Sequence, residues 1–440
     1  MTVDRQHFRT LLAEGVAIPT VSMDPDRSAD MMQGAEWAAE TIRSLGGEAT
    51  ILRTSGWPTV HGRFRADGAK RSIAIYNHMD VQPANEPEWK TDPFVLTEIG
   101  DTWHGRGATD DKGPALAALF AAARSQQAGV PLDIHFIWEF EEEIGSPNFD
   151  EALARIPGPF DSVLVSDTIW ISREVPASPL GLRGMQTFTL NLRTASHDTH
   201  SGLVGGAARN PLLELAELIA AMVDAESGRV KIPGFYDGVR PTDEATLEGF
   251  VRAGFDVERF RKAHGLTSLR DLDPRIVTQK LWTLPTMELH GLAGGYQGPG
   301  VKSAVPPWGE AKMSMRLVPD MTAEGALARV RDFVSVHHPE VEVVAGPGLE
   351  PYMCPSDAAQ IPHLAAALKH AFGKDPAFVR EGGSIGAVVR MARHWQCPVL
   401  FMGLSLPEHG YHAPNENFDW PMAQGGIAAF EHYFRSLGTC

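Results

Sequence analysis

Cysteine is scarce in this chain: three residues in 440, Cys354, Cys397 and Cys440, odd in number, far apart and outside any Cys-x-x-Cys pair. That spacing excludes a disulfide framework and a thiolate zinc site. Long apolar runs are missing too. The longest, Ala115 to Ala123, is about half of the roughly 20 residues that a membrane-spanning helix needs, and its alanine content suits a buried helix of a soluble domain. No membrane association is expected. The opening residues, Met1-Thr-Val-Asp-Arg-Gln-His7, carry charge where a secretion signal needs an apolar stretch, so the expected location is cytoplasmic. Basic residues are outnumbered, 39 Lys and Arg against 55 Asp and Glu, and the resulting formal charge of −16 argues against a nucleic-acid surface. What is present is an ordinary globular composition, 43% hydrophobic and 21% charged, long enough for two or three domains or one domain with a large insertion.

Helical patterns cover roughly Asp4 to Ala17 and Asp30 to Leu45, the second stopping at Gly46-Gly47. Short apolar runs of strand length follow at Ser72–His78, Asp133–Glu139 and Ser162–Ser166, the first two separated by a helix over Lys112–Gln127. This order predicts an α/β domain: a mostly parallel sheet with helices on its faces. From about Gly184 the pattern changes to a strand at Thr187–Arg193, a helix capped by Asn210 with Pro211 in its first turn, a strand at Ala311–Leu317, a helix at Thr322–His337 and a strand at Val341–Val344. A less regular insert occupies Pro233–Lys280. Parallel-sheet character returns near Phe378, with a helix at Gly386–His394 and a strand at Pro398–Met402. The expected organisation is a catalytic domain formed by 1–183 and 376–440, interrupted at 184–375 by an inserted α+β, ferredoxin-like layer.

The informative residues are those that follow each strand. Ser72–Tyr76 leads into Asn77-His78-Met79-Asp80, Asp133–Trp138 into Glu139-Phe-Glu141-Glu142-Glu143, and Val163–Val165 into Ser166-Asp167. In an open parallel sheet the ligand crevice lies beyond the carboxyl ends of the strands, so these side chains should converge. Two loops add to them, Gly105-Arg-Gly-Ala-Thr-Asp110-Asp111-Lys112-Gly113-Pro114 and Gly410-Tyr-His412-Ala-Pro-Asn-Glu416. Carboxylates packed together repel unless a cation neutralises them, because each buried, unpaired charge costs several kcal/mol. Imidazole with carboxylate oxygen is a ligand set suited to Zn²⁺, with Mn²⁺ or Co²⁺ tolerated, and six such positions exceed the needs of one tetrahedral ion. A two-metal site sharing a carboxylate is therefore expected. Asp80 is placed to take the second N–H of the His78 imidazole. Of Glu142 and Glu143, one is expected to bind metal and the other to stay free as a base.

In these motifs the chain resembles the di-zinc metallopeptidase family of aminoacylases, carnosinases and glutamate carboxypeptidases. The resemblance runs through His78-Met-Asp80-Val-Gln-Pro, Gly105 to Gly113, Glu142-Glu-Ile-Gly-Ser146, Ser166-Asp167 and His412-Ala-Pro-Asn-Glu416. It implies that His78 and Asp167 bind one zinc, Glu143 and His412 the other, and Asp110 bridges them, with Glu142 as general base toward a zinc-bridging water. Asp198-Thr-His200-Ser-Gly202, Met315-Arg316-Leu-Val-Pro319 and Arg380-Glu-Gly-Gly-Ser384-Ile are similar to the carnosinase-like dipeptidase branch. That branch implies a homodimer through the lid domain, in which His200 reaches the partner's site to stabilise the oxyanion. It also implies that Arg316, Gly383 and Ser384, with Ser303, hold the substrate's carboxylate. A Gly-rich turn at a helix N-terminus offers N–H groups to an anion, and Arg grips a carboxylate with two parallel hydrogen bonds. The implied activity is hydrolysis of an amide bond next to a free carboxylate, with a dipeptide as substrate and an N-acyl or N-carbamoyl amino acid as the alternative.

Plainer readings stand beside these. A lone His78 would be a hydrogen-bonded structural histidine, Arg316 a partner for an acidic neighbour, and Ser384 an N-cap. Glu141 is read as facing solvent, and Asp111 as a charge favourable at a helix N-terminus. A non-catalytic binding protein is disfavoured because the full ligand set and Glu142 are all present. A phosphate-ester hydrolase is weaker still, since no phosphate loop accompanies the acidic cluster.

Overall fold

The computed structural model describes residues 4–439; Cys440 and Met1 to Val3 of the leader reading lie outside them. The first helix, Arg5–Val16, starts where the Asp4 carboxylate accepts the Gln6 N–H, and buries Phe8, Leu11, Leu12 and Val16 at helical spacing. A six-stranded sheet runs in the order Glu48–Leu52, Thr59–Phe64, Asp133–Glu139, Ser72–His78, Ser162–Val165 and Val399–Phe401. Its last four strands are parallel and the first two form an antiparallel edge. The alternation along each strand explains the layers. Ile73 and Ile75, with Phe136 and Leu164, join one core together with helices Gly113–Gln127 and Trp420–Gly438. Ala74 and Tyr76, with Ile137, Val163 and Val165, join another under helices Phe149–Leu153 and Gly386–Trp395. Because both faces are covered, these strands read as unbroken apolar runs.

The inserted layer is a four-stranded antiparallel sheet in the order Thr286–Gly294, Trp308–Leu317, Gly184–Arg193, Glu342–Leu349. Helices Pro211–Met222 and Ala323–His337 pack on it and share a separate core containing Leu190, Leu215, Met313 and Val330. The chain order βαββαβ on this strand order is the ferredoxin-like arrangement. Two elements differ from the sequence expectation. The sequence shows no strand pattern at Thr286–Gly294, because a register shift between Leu289 and Gly291 and the exposure of Leu289 and Leu292 erase its alternation. The stretch read as irregular forms three short helices, Glu244–Arg252, Val257–Ala263 and Pro274–Trp282, capped by Asp243, Asp256 and Asp273. Leu247, Phe250 and Trp282 from these helices, and Leu364, Ala367 and Leu368 of helix Ile361–Phe372, enter the core of the first domain although they lie within 184–375 by number. Among the described residues, no helix is long and apolar enough to cross a membrane.

Close packing fixes the loop that enters helix Gly113–Gln127. A Cβ on Gly113 would lie 2.2 Å from the Ala108 carbonyl oxygen and 2.6 Å from the Phe418 ring. Gly113→Ala should therefore destabilise the protein by about 1–3 kcal/mol, read as a lowered urea midpoint. An unchanged midpoint would show that the loop can yield.

Candidate metal centre

Strand Ser72–His78 delivers His78, buried, to the crevice at its carboxyl end, and its parallel neighbours deliver Glu142, Glu143 and Asp167 to the same place. His78 Nε2 lies 2.9 Å from Asp110 Oδ1, and His412 Nε2 lies 2.9 Å from Asp110 Oδ2. One carboxylate thus offers a different oxygen to each imidazole. The donor atoms form two compact groups, His78 with Glu142 and Asp167, and Asp110 with Glu143 and His412, each within 4.8 Å across. His412 Nε2 is 3.3 Å from Glu143 Oε2, and His78 Nε2 is 3.7 Å from Asp167 Oδ2.

The electrostatics of this cluster ask for cations. Burial pushes Glu142 and Asp111 well above the usual carboxylate range, the charge of Asp167 adding to the rise in both, and pushes Asp167 up to about 6. Burial also acts on Asp110, but hydrogen bonds from His412 and His78 hold its carboxyl below the ordinary value. Both imidazoles are raised by their acidic neighbours. Burial disfavours their charge, yet Asp167 and Asp110 raise His78 well above its ordinary value, and Asp110 and Glu143 raise His412 to about 11. Protons on these histidines do what a divalent cation does better. Two imidazole and four carboxylate groups, with Glu143 Oε1 buried and without a hydrogen-bond partner, make a donor set that fits two such ions.

The supporting contacts explain why the loops take these shapes. Asp80 is buried, and its two oxygens accept the backbone N–H groups of Glu142 (3.2 Å) and Glu143 (3.0 Å). His78 Nδ1 lies closer to the Asp80 carbonyl oxygen (3.0 Å) than to its carboxylate (3.5 Å), so the backbone of Asp80 orients the ring and its side chain orients the glutamate turn. Glu416 clamps the Asp110 loop: Oε1 accepts the N–H groups of Thr109 (2.9 Å) and Asp110 (3.0 Å), and Oε2 accepts Gly107 N–H (3.0 Å) and Arg106 Nη1 (2.9 Å).

One expectation is corrected. Glu141 does not face solvent; it is buried and accepts from Trp57 N (2.8 Å), Asn148 N (3.0 Å) and Asn148 Nδ2 (2.9 Å), tying three loops together. Asp111 precedes helix Gly113–Gln127, where it is buried and accepts from Asn77 Nδ2 at 2.7 Å. Glu139 is likewise buried behind the metal groups, where it accepts from the Tyr76 hydroxyl at 2.6 Å.

A cavity of about 390 Å³ opens on this cluster, within the size range of small-molecule sites. Asp110, Glu142, Asp167 and His412 line it together with Arg316, Gly383 and Ser384 from across the crevice. Arg316 Nη1 donates to Ser384 Oγ at 3.2 Å, while helix Gly386–Trp395 is capped by Ile385, so Ser384 is not its cap. His200 and Ser303 do not line the cavity. Both are exposed: His200 Nδ1 accepts Gly202 N–H at 3.0 Å and the Ser303 carbonyl accepts Ser201 N–H at 3.0 Å. Two polar lining residues are not marked by the sequence pattern, Glu381 and Tyr411. Burial, then the charge of Asp167, pushes the Glu381 carboxyl up to about 8, and its Oε2 has no hydrogen-bond partner.

Comparison with known proteins agrees with this geometry. Residues 74–436 match the profile described as peptidase family M20/M25/M40. A Beta-Ala-His dipeptidase of Rattus norvegicus is 30% identical over 97% of this chain and 92% of its own. A Cys-Gly metallodipeptidase of Schizosaccharomyces pombe is 30% identical over 99% of this chain and 96% of its own. Among solved structures, an M20 family metallo-carboxypeptidase from Sulfolobus solfataricus superposes with a TM-score of 0.88 at 27% identity, covering all of both chains.

Proposed function

The chain belongs to peptidase family M20/M25/M40, and from that premise we propose that it is a dipeptidase whose side chains recognise both ends of its substrate. The carrying observation is one cavity lined by members of both donor groups, by the Arg316 guanidinium and by the unpartnered carboxyl of Glu381. His78 and Asp167 would hold one divalent ion, Glu143 and His412 the other, and Asp110 both; zinc suits this set, with manganese or cobalt acceptable. Such ions, when bound, supply Lewis acidity and lower the pKa of coordinated water from 15.7 toward about 7.

The protein's own groups do the rest. Arg316, beside Ser384 and Gly383, fixes the substrate carboxylate. Glu142, which lines the cavity, takes a proton from the attacking water and returns it to the leaving amine. Asp80 keeps Glu142 in place through the turn N–H it accepts. Glu381 lines the same cavity with Oε2 unpartnered, and a free substrate ammonium is the partner its carboxyl would take. An N-acyl amino acid brings no such charge, which favours a dipeptide over the deacylase alternative.

The exposed apolar residues Leu203 (83% exposed) and Val301 (95% exposed) flank His200 and Ser303 on the inserted layer, as a dimer edge would require. In that arrangement His200 serves the partner's site, and the stretch 184–375 acts as the lid and dimerisation domain, with helix Ile361–Phe372 docked on the catalytic domain. Cys354 and Cys397 are free and buried, in keeping with a reducing, cytoplasmic setting.

Amine release from a panel of dipeptides, N-acetyl and N-carbamoyl amino acids, each with and without chelator, tests this. Chelator-sensitive hydrolysis of dipeptides is expected, and Glu381→Gln should lower their kcat/KM by about 10–100-fold, the equivalent of a charged hydrogen bond. No chelator-sensitive hydrolysis of any compound would overturn the reading. A preference for N-acyl substrates that survives Glu381→Gln would favour the deacylase instead.

A further inference from the structure

Tyr411 makes two contacts that the reaction above does not use. Its hydroxyl donates to Asp167 Oδ1, and its ring stacks on that of His412, with centroids 5.4 Å apart and planes inclined by 24°. The backbone explains how neighbours in sequence reach different donor groups. Gly410 at φ 72° and His412 at φ 55° both lie in the left-handed region, which curls the loop around Tyr411. His412 then faces Asp110 and Glu143, while Tyr411 reaches across to the other group. Asp167 is divided in consequence: Oδ1 is occupied by the phenol, and Oδ2 is the oxygen turned toward His78 Nε2.

We propose that Tyr411 is a positioning residue for one of the two metal sites, holding Asp167 so that it presents a single oxygen to the ion it shares with His78. A carboxylate free to rotate can chelate with both oxygens or swing away. A carboxylate with one oxygen tied by a hydroxyl is pre-oriented, and outer contacts of this kind commonly account for 10–100-fold in metal affinity. The stacking on His412 gives the phenol its own fixed position, so the loop serves both sites with consecutive residues. The inference rests on the dinuclear reading of the centre, and its test separates the two.

The experiment is a titration of chelator-stripped protein with Zn²⁺ in competition with a chromophoric chelator, wild type against Tyr411→Phe, with circular dichroism to check that the variant folds. Wild type should take up two ions. Tyr411→Phe should lose about 10–100-fold in affinity at one site and keep the other within about twofold. Unchanged affinity at both sites overturns the proposal, and so does an equal loss at both, which a general loosening of the loop would produce. Wild-type protein that binds fewer than two ions would instead refute the dinuclear centre itself. A second variant, Tyr411→Gln, retains an N–H donor and should recover part of the loss at the affected site; no recovery over Tyr411→Phe counts against the hydrogen bond.

Discussion

Glu142→Gln should reduce kcat by about 10²–10⁴-fold while both ions remain bound, a loss of about 3–5 kcal/mol of transition-state stabilisation. The substitution keeps the shape and the backbone N–H that Asp80 accepts, and removes only the site that can carry a proton. Glu142 shares a group with His78 and Asp167, so its charge also contributes to that group's attraction for a cation. Two measurements separate these roles. Metal content by mass spectrometry should stay near two ions per chain, and KM should change far less than kcat. A variant with near-normal turnover would remove Glu142 from the mechanism. A variant that lost one ion together with its activity would make it a ligand.

Removing the metal should have the other large effect: turnover vanishes, and stability falls with a distinctive pH dependence. Each site saturated at a hundred times its dissociation constant adds about 2.7 kcal/mol to the folded state. Stripped of ions, the cluster relies on protons. His78 and His412 have folded pKa values raised above the ordinary imidazole value, Asp167 is raised to about 6, and Glu142 is raised as well. For a raised group the stabilising proton is present below the unfolded pKa and is lost as pH climbs toward the folded one. The stability of the stripped protein should therefore decline from mildly acidic pH upward. Metal affinity runs the other way, because binding displaces those same protons. Thermal unfolding with and without chelator, measured from about pH 5 to 9, should show a gap that widens with pH. A constant gap, or activity that persists after chelation, would contradict the assignment.

The parallel strands were legible in the sequence because they are covered on both faces and so consist of unbroken apolar runs. Their ends were legible because acidic residues there have no solvated role. What was not legible depends on contacts between distant segments. Glu141 reads as one more charge in an acidic run, and only the Trp57 and Asn148 loops make it a buried anchor. Tyr411 sits beside a recognised histidine, but nothing local indicates that its hydroxyl meets the carboxylate of Asp167, which follows strand Ser162–Val165. Glu381 precedes the Gly382-Gly383 pair at the end of a short strand, and nothing in its neighbours marks its carboxyl as lining a cavity. The strand at Thr286–Gly294 failed for the opposite reason, a local bulge that shifts its period midway.

The clamp that Glu416 places on the Asp110 loop has a consequence for biosynthesis. The two residues are separated by 306 positions, and His412 and the edge strand Val399–Phe401 lie in the same late part of the chain. A ribosome that has released the first domain half and the whole inserted layer has still not supplied what holds Asp110 in place or completes its donor group. The early segments must wait with their carboxylates uncompensated, and metal capture follows the emergence of His412 and Glu416. Arrest peptides that report force during translation should register the final folding event only after the residues near 416 have cleared the exit tunnel.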